Sequence, residues 1–350
     1  MRKKWSKWLL LLIGQIIIWQ ILFRIKPFVD FWVEHIISFN HQFIHASTQF
    51  FSTGVGELFY ILLSIILVFL VYKAIQKRKP ALILKVLFFL VLIYNSVWGI
   101  IYYRENFNLE HKEEIQIDRL KELYVYSLNE AISNRRLFLN DSARVKIDLT
   151  VADYLQEFKH NQKLLVKEDW INNKYQLKNP SVIHTRFTSV LDHAGVLGYY
   201  NPFVVESNIN HTITDLKRGS TIFHELAHQL GYGSESEANF IAYYIGNVSD
   251  KPEIKYFTNY KLMFYLLNLI GMQDAAYAKS SFENIPKAIL EDRDAEIAYY
   301  SQFDGSMNDS FSFMNNQFLK LNNQDGIISY SKYIELVYHY HYKIRKASKN

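Results

Sequence analysis

Cysteine is absent from the 350 residues, which excludes a disulfide framework, a thiolate zinc site and a cysteine nucleophile together. Any core must therefore be held by packing. Internal repeats and low-complexity tracts are missing too. No small-residue cleavage site follows the first apolar run; the chain continues FRIKPFVDFW, so this run reads as an uncleaved anchor and not as a secretory signal peptide. The net charge of +5 gives no case for nucleic acid, because the basic residues that matter flank apolar runs.

Those runs are Trp8 to Phe23, Leu58 to Tyr72 and Val86 to Tyr103. A bilayer span needs about 20 apolar residues. The first two reach that length with flanking Lys7, Lys73 and aromatic side chains, and the third with Ala81 to Leu84. Arg2, Lys3, Lys4 and Lys7 precede the first run, and Lys73, Lys77, Arg78 and Lys79 separate the second from the third. Basic flanks face the cytoplasm, so three crossings put everything after Tyr103 outside it. The expectation is a membrane region over 1–104 and a domain over 105–350, with the lipid bilayer as one partner. The first loop, PFVDFWVEHIISFNHQFIHASTQFF, reads as a helix at the membrane interface, its His41 and His45 polar groups rather than metal ligands.

Beyond the spans, NLEHKEEIQIDRLKELYVYSLNEAI predicts a charged linker helix leading away from the bilayer. SVIHTRFTSVLDHAGVLGYYNPFVVESNINHTI predicts two or three short strands, with YYNPFVVESN able to form an edge that pairs with an extended peptide. From Ser220 onward the pattern is helical, and Pro252 to Met272 reads as a buried helix, not a fourth span. The fold class is α+β, mostly α.

Chemistry concentrates in TIFHELAHQLGYGSESEANFIAYY. His224-Glu225-Leu226-Ala227-His228 is H-E-x-x-H: on a helix the two imidazoles lie one turn apart on one face. Glu225, rotated by about 100°, flanks the ion as a general base would. Zinc held by three protein ligands keeps a fourth position for water and lowers its pKa to about 7. Ser220 is available as N-cap, and Gly231 can end the helix in a left-handed conformation. Glu206, Glu235 and Glu237 are the nearby acids for a third ligand. Glu206 lies in strand-like sequence before the motif. Ser234 with Glu237 fits a capping box, which leaves Glu235 free to face the metal.

HELAH followed by ESEAN resembles zinc metallopeptidases of the gluzincin type. The resemblance implies a glutamate on the following helix as third ligand, here Glu235. Asn239, four positions on, would orient a ligand histidine. The apolar spans, GYYNPFVVESNIN, HELAHQLG and EANFIAYY together resemble the bacterial membrane proteins of domain-of-unknown-function family 3810, regarded as zinc peptidases on the strength of the motif. The resemblance implies a zincin-like metallopeptidase domain with a small sheet, zinc on His224, His228 and Glu235, Glu225 as base, and a peptide or protein substrate. The spacing from His228 to Glu235 is shorter than in many gluzincins and nearer H-E-x-x-H-x-x-G-x-x-H, but Ser234 stands where that pattern has its third histidine. Tyr330, His211 and His341 are candidates to stabilise an oxyanion. The alternative from another class is a membrane scaffold or regulator with structural zinc. An intramembrane protease is disfavoured by Lys217, Arg218, Glu235 and Glu237 around the motif.

Overall fold

Uninterrupted Leu, Ile and Phe favour helices in lipid, since a helix pairs its backbone donors and acceptors within the segment. The computed structural model describes residues 2–48, 54–77, 79–108, 115–140, 144–322, 324 and 330–344. It opens with α1 (Arg2–Leu22), then a helical loop made of α2 (Lys26–Phe31), a π-helical stretch (Trp32–Ile37) and α3 (Ser38–Thr48). α4 (Val55–Gln76) and α5 (Pro80–Val97) follow, and a 3-10 turn (Gly99–Tyr103) leads out of α5. Three helices, over Trp5–Leu22, Val55–Gln76 and Pro80–Val97, are long and apolar enough to cross a membrane. α1 packs against α5, where Gln15 donates to the Phe88 carbonyl at 2.8 Å.

The rest is mostly helical around a small sheet: α6 (Ile117–Phe138), α7 (Val151–Leu165), β1 (Val182–His184), α8 (Thr188–Ala194), β2 (Gly198–Asn201) and β3 (Glu206–Ile209). Then come α9 (Asp215–Gln229), α10 (Glu235–Asn247), α11 (Pro252–Gly271), α12 (Ala275–Glu283), α13 (Lys287–Ser301), α14 (Ser306–Leu321) and α15 (Tyr330–His339). β3 is central, parallel to β1 and antiparallel to β2, with Tyr199 opposite Asn208 and Tyr200 opposite Ser207.

α9, α10 and α11 enclose the main core with α6 and α7. Phe223 and Phe257 meet Tyr154 and Phe158 there, all essentially inaccessible to water. Burial of each such ring stabilises by roughly 1.5–3 kcal/mol. Gly219 admits Phe257 to the α9 backbone: a Cβ there would collide with the Phe257 ring and with Tyr154. α11 is the buried helix the sequence predicts, Asn259 included. α6 differs from expectation. It packs along α11 with Leu120, Leu123, Tyr124 and Ala131 fully covered, so it is a core helix and not a linker. Its Arg135 forms a two-bond ion pair with Asp292 of α13, Nε to Oδ2 at 2.8 Å and Nη2 to Oδ1 at 3.3 Å, with both side chains buried.

The apolar helices are joined to the domain by an exchange of carboxylates. Glu206 of β3 accepts from Val55 N at 3.0 Å and from Gly56 N at 3.2 Å, capping the start of α4. The first N–H groups of a helix have no partner within it, and an anion there also meets the positive end of the helix dipole. In return, Glu57 of α4 accepts from Thr185 Oγ1 at 2.5 Å and Arg186 N at 2.8 Å, just past β1. Gly56 is required by the close approach: a Cβ would stand 2.8 Å from Glu206 Oε1 and 2.9 Å from Asn201 Nδ2. Glu206 follows Val205, whose φ of 54° is a left-handed conformation that a β-branched residue rarely takes.

α3 is tied to the domain as well as lying along the first loop. His45 Nε2 donates to the Asn179 carbonyl at 2.6 Å, and buried His41 lies 3.4 Å from the Tyr200 hydroxyl. Each of these two histidines contacts the domain and so docks the loop on it.

Candidate metal centre

The N-cap of α9 is Thr214, six residues before Ser220, and Asp215 stands in its first turn. Ser220 therefore sits mid-helix, and its hydroxyl donates to the Lys217 carbonyl at 3.0 Å. The apolar side of α9 (Ile222, Phe223, Leu226, Ala227) is in the core. His224 and His228, four apart, share the face that opens on a cavity of about 550 Å³. Gly231, with φ of 91°, ends the helix in the expected left-handed turn, and Tyr232 N reaches back to the Ala227 carbonyl at 3.1 Å. The same turn fixes a candidate ligand. The Tyr232 carbonyl can only accept, so His228 Nδ1, 2.7 Å away, carries a proton, which leaves Nε2 as the nitrogen that can bind a metal once deprotonated.

α10 then returns Glu235 to that nitrogen. Glu235 Oε2 is 3.1 Å from His224 Nε2, Oε1 is 3.5 Å from His228 Nε2, and the two Nε2 atoms are 3.1 Å apart. His224, His228 and Glu235 form a group that could hold a metal ion, with their ligand atoms all within 4.8 Å of one another. Tetrahedral zinc with bonds of about 2.05 Å separates its ligands by about 3.3 Å, so the donor set fits. The three groups are also coupled by charge. Burial opposes ionisation of Glu235, yet the two histidines hold it well below the usual carboxylate range. Burial also works against protonated His228, but Glu235 and Glu225 outweigh it and carry the imidazole up to about 9. For His224, burial prevails over Glu235 and lowers its pKa.

Glu225 is nearly inaccessible and lines the same cavity. Burial pushes its carboxyl up to about 8, His228 opposing. Its Oε2 has no hydrogen-bond partner among the described residues. Gly198 of edge strand β2 lies against it, since a Cβ at 198 would stand 2.9 Å from Glu225 Oε1.

Three expectations change. Ser234 is the N-cap of α10 but makes no side-chain capping bond, so there is no capping box. Glu237 instead accepts from Asn106 Nδ2 at 2.9 Å, and burial raises it to about 7 despite that bond. Asn239 touches neither histidine in a hydrogen bond: its Nδ2 donates to the Glu235 carbonyl at 2.9 Å, and its Oδ1 accepts from Lys261 Nζ at 3.0 Å. Of the oxyanion candidates, His211 packs against the His184 ring and His341 faces the Tyr243 hydroxyl at 2.5 Å; neither lines the cavity. The Tyr330 side chain lies outside the described residues.

Residues 32–338 match the family described as "Protein of unknown function (DUF3810)". The chain belongs to the DUF3810 family. No curated protein and no solved structure matches it. The matched segment of this DUF3810 chain holds the whole triad and Glu225, together with α4 and α5, so the family unit includes membrane-type helices as well as the domain.

Sequence reasoning missed most of the cavity wall. Tyr60, Tyr94, Trp98 and Tyr102, on or just past α4 and α5, line it beside Tyr199, Tyr200, Phe311 and Phe318. Trp98 meets the His228 ring edge-on at 5.9 Å, and Tyr200 lies over the same ring at 6.4 Å. Lys261 of α11 also lines it, its ammonium lowered to about 8 by burial and by Lys217. The one usable signal for the aromatics was their position as a belt at a span's end.

Proposed function

We propose that this chain is a membrane-anchored, zinc-dependent peptidase with a zincin-like catalytic domain outside the cytoplasm. The observation that carries the reading is the convergence of three ligand atoms beside an unpartnered, buried Glu225 carboxylate oxygen in one cavity. Among the described residues the group has three members, not four. A structural zinc site closes its coordination with protein, whereas a hydrolytic site keeps a position open. That supports catalysis over a scaffold with structural zinc.

His224, His228 and Glu235 would hold the ion. Zinc bound there supplies Lewis-acid polarisation of a carbonyl and acidifies a water. Glu225 would take a proton from the attacking water and return it to the leaving amine. Burial, by raising the pKa of this carboxyl, makes its ionised form a stronger base for the first of these transfers. The Tyr232 carbonyl keeps His228 in the tautomer that binds through Nε2. β2, at the sheet edge and in the cavity wall, offers backbone groups to an extended substrate.

The test is metal content and hydrolysis of a randomised peptide pool by the full chain in detergent. Glu225→Gln should cut hydrolysis by about 10²-fold or more while one zinc per chain remains. Glu235→Ala should lose the zinc and Glu237→Ala should keep it. Hydrolysis undiminished in Glu225→Gln, or zinc undiminished in Glu235→Ala, would reject the assignment.

A further inference from the structure

Next to the metal cavity lies a second one, of about 400 Å³, and the two share Leu197, Ser220, Thr221 and Lys261 in their linings. The groove therefore continues from the triad past Lys261. Its far part is basic. Lys217 and Arg293 line it with Lys261, against one carboxylate, Glu296. Glu296 is already engaged, by Lys217 Nζ at 3.0 Å and by the Tyr260 hydroxyl at 3.0 Å. Arg293 lies over the Phe264 and Phe282 rings at 5.2 and 5.5 Å, contacts that hold a guanidinium without neutralising it. Lys261 donates to a neutral amide, Asn239. Three cations thus face a partly covered pocket with one countercharge.

We infer that this pocket is a carboxylate subsite: a substrate reaching the triad places a C-terminal carboxylate or an acidic side chain against Lys261, with Arg293 beyond it. The inference rests on the peptidase reading for its substrate class, though not for its binding test. Lys261 is the pivotal residue because it stands in both cavities. Asn239, bonded to both Lys261 and the Glu235 backbone, ties the position of the cation to the helix that carries the third ligand.

Binding can be read without turnover. The probe is a fluorescein-labelled, randomised hexapeptide pool, and the protein is the full chain in detergent carrying Glu225→Gln and loaded with zinc. Anisotropy is compared for the free-acid pool, its C-terminal amide, and amidated pools enriched in Asp and Glu or in Asn and Gln. At least one acid pool should bind about tenfold more tightly than its neutral counterpart. Preference for the free acid over the amide assigns the terminal carboxylate; preference for Asp and Glu over Asn and Gln assigns a side chain. Adding Lys261→Gln should erase the difference at unchanged zinc content, and Lys261→Arg should restore part of it. Equal binding of acid and neutral pools, or an acid preference that survives Lys261→Gln, would overturn the subsite. Hydrolysis by the native chain, measured separately, decides the peptidase reading: turnover with no acid preference sinks the subsite alone, and acid preference without turnover sinks the peptidase alone.

Discussion

Removing the Glu206 carboxylate should loosen the start of α4 by an amount that the hydrogen bonds allow one to bound. Glu206 accepts from Val55 N and Gly56 N at 3.0 and 3.2 Å and is itself almost inaccessible. Glu206→Ala leaves the buried Gly56 N and the half-buried Val55 N without this partner, at up to about 1–3 kcal/mol each, so at most about 2–6 kcal/mol in all. Burial raises the pKa of this carboxyl, a cost to ionisation that the substitution relieves and that favours the lower half of the range. Glu206→Gln retains one acceptor oxygen and should lose about half as much. The assay is amide hydrogen exchange of the full chain in lipid nanodiscs, following peptides that begin several residues before Val55 and span it and Gly56. A loss of 2 kcal/mol corresponds to about 30-fold faster exchange. Glu57→Ala serves as a comparison, since it should free Arg186 N without uncapping α4. Unchanged protection at Val55 and Gly56 in Glu206→Ala, with native circular dichroism, would refute the cap.

Asp292→Ala strands the buried Arg135 guanidinium and should cost about 3–5 kcal/mol, lowering the melting temperature by roughly 6–20 °C at about 2–4 °C per kcal/mol; an unmoved melting curve by tyrosine and tryptophan fluorescence would contradict the role given to the pair. Gly198→Ala puts a methyl 2.9 Å from both Glu225 Oε1 and the Asn208 carbonyl and should depress hydrolysis by about tenfold or more with zinc retained; full activity would mean the edge strand yields freely. Glu237 has a folded pKa near 7, above its ordinary 4.5, so the fold binds the extra proton and the stability this gives is lost as pH rises through 7. Glu237→Gln should therefore gain stability over the native chain as pH goes from 5 to 8, and a gain that is flat across that range would remove the burial explanation.

Features governed by local spacing were the legible ones. The four-residue interval of His224 and His228, the left-handed glycine at 231 and the apolar length of three helices all follow from helix geometry and sequence alone. What escaped depended on partners far away in the chain. Glu237 fits a capping box locally, but Asn106, 131 residues distant, takes its carboxylate. Ser220 is a plausible N-cap because Gly219 weakens helix propensity ahead of it; packing of Phe257 onto that glycine outweighs propensity, and the helix runs through. α6 hides Leu120, Leu123, Tyr124 and Ala131 among charges that dominate its average polarity, so its one covered stripe reads as solvated. Lys261 looked like an interruption in an apolar helix. Its place beside the triad became visible only when α11 packed against α9 and α10.

A boundary after residue 104 is the natural cut by hydropathy, and it passes through the wall of the cavity. A chain beginning at residue 105 would lose Tyr60, Tyr94, Trp98 and Tyr102 from that wall, the ring that stands edge-on to His228, and the Glu57 side of the carboxylate exchange. The segment of long apolar helices is thus less a tether than one half of a two-part vessel. A truncated domain could keep His224, His228 and Glu235 together and still present them to bulk water, so that a metal-binding triad and an enclosed cavity would part company.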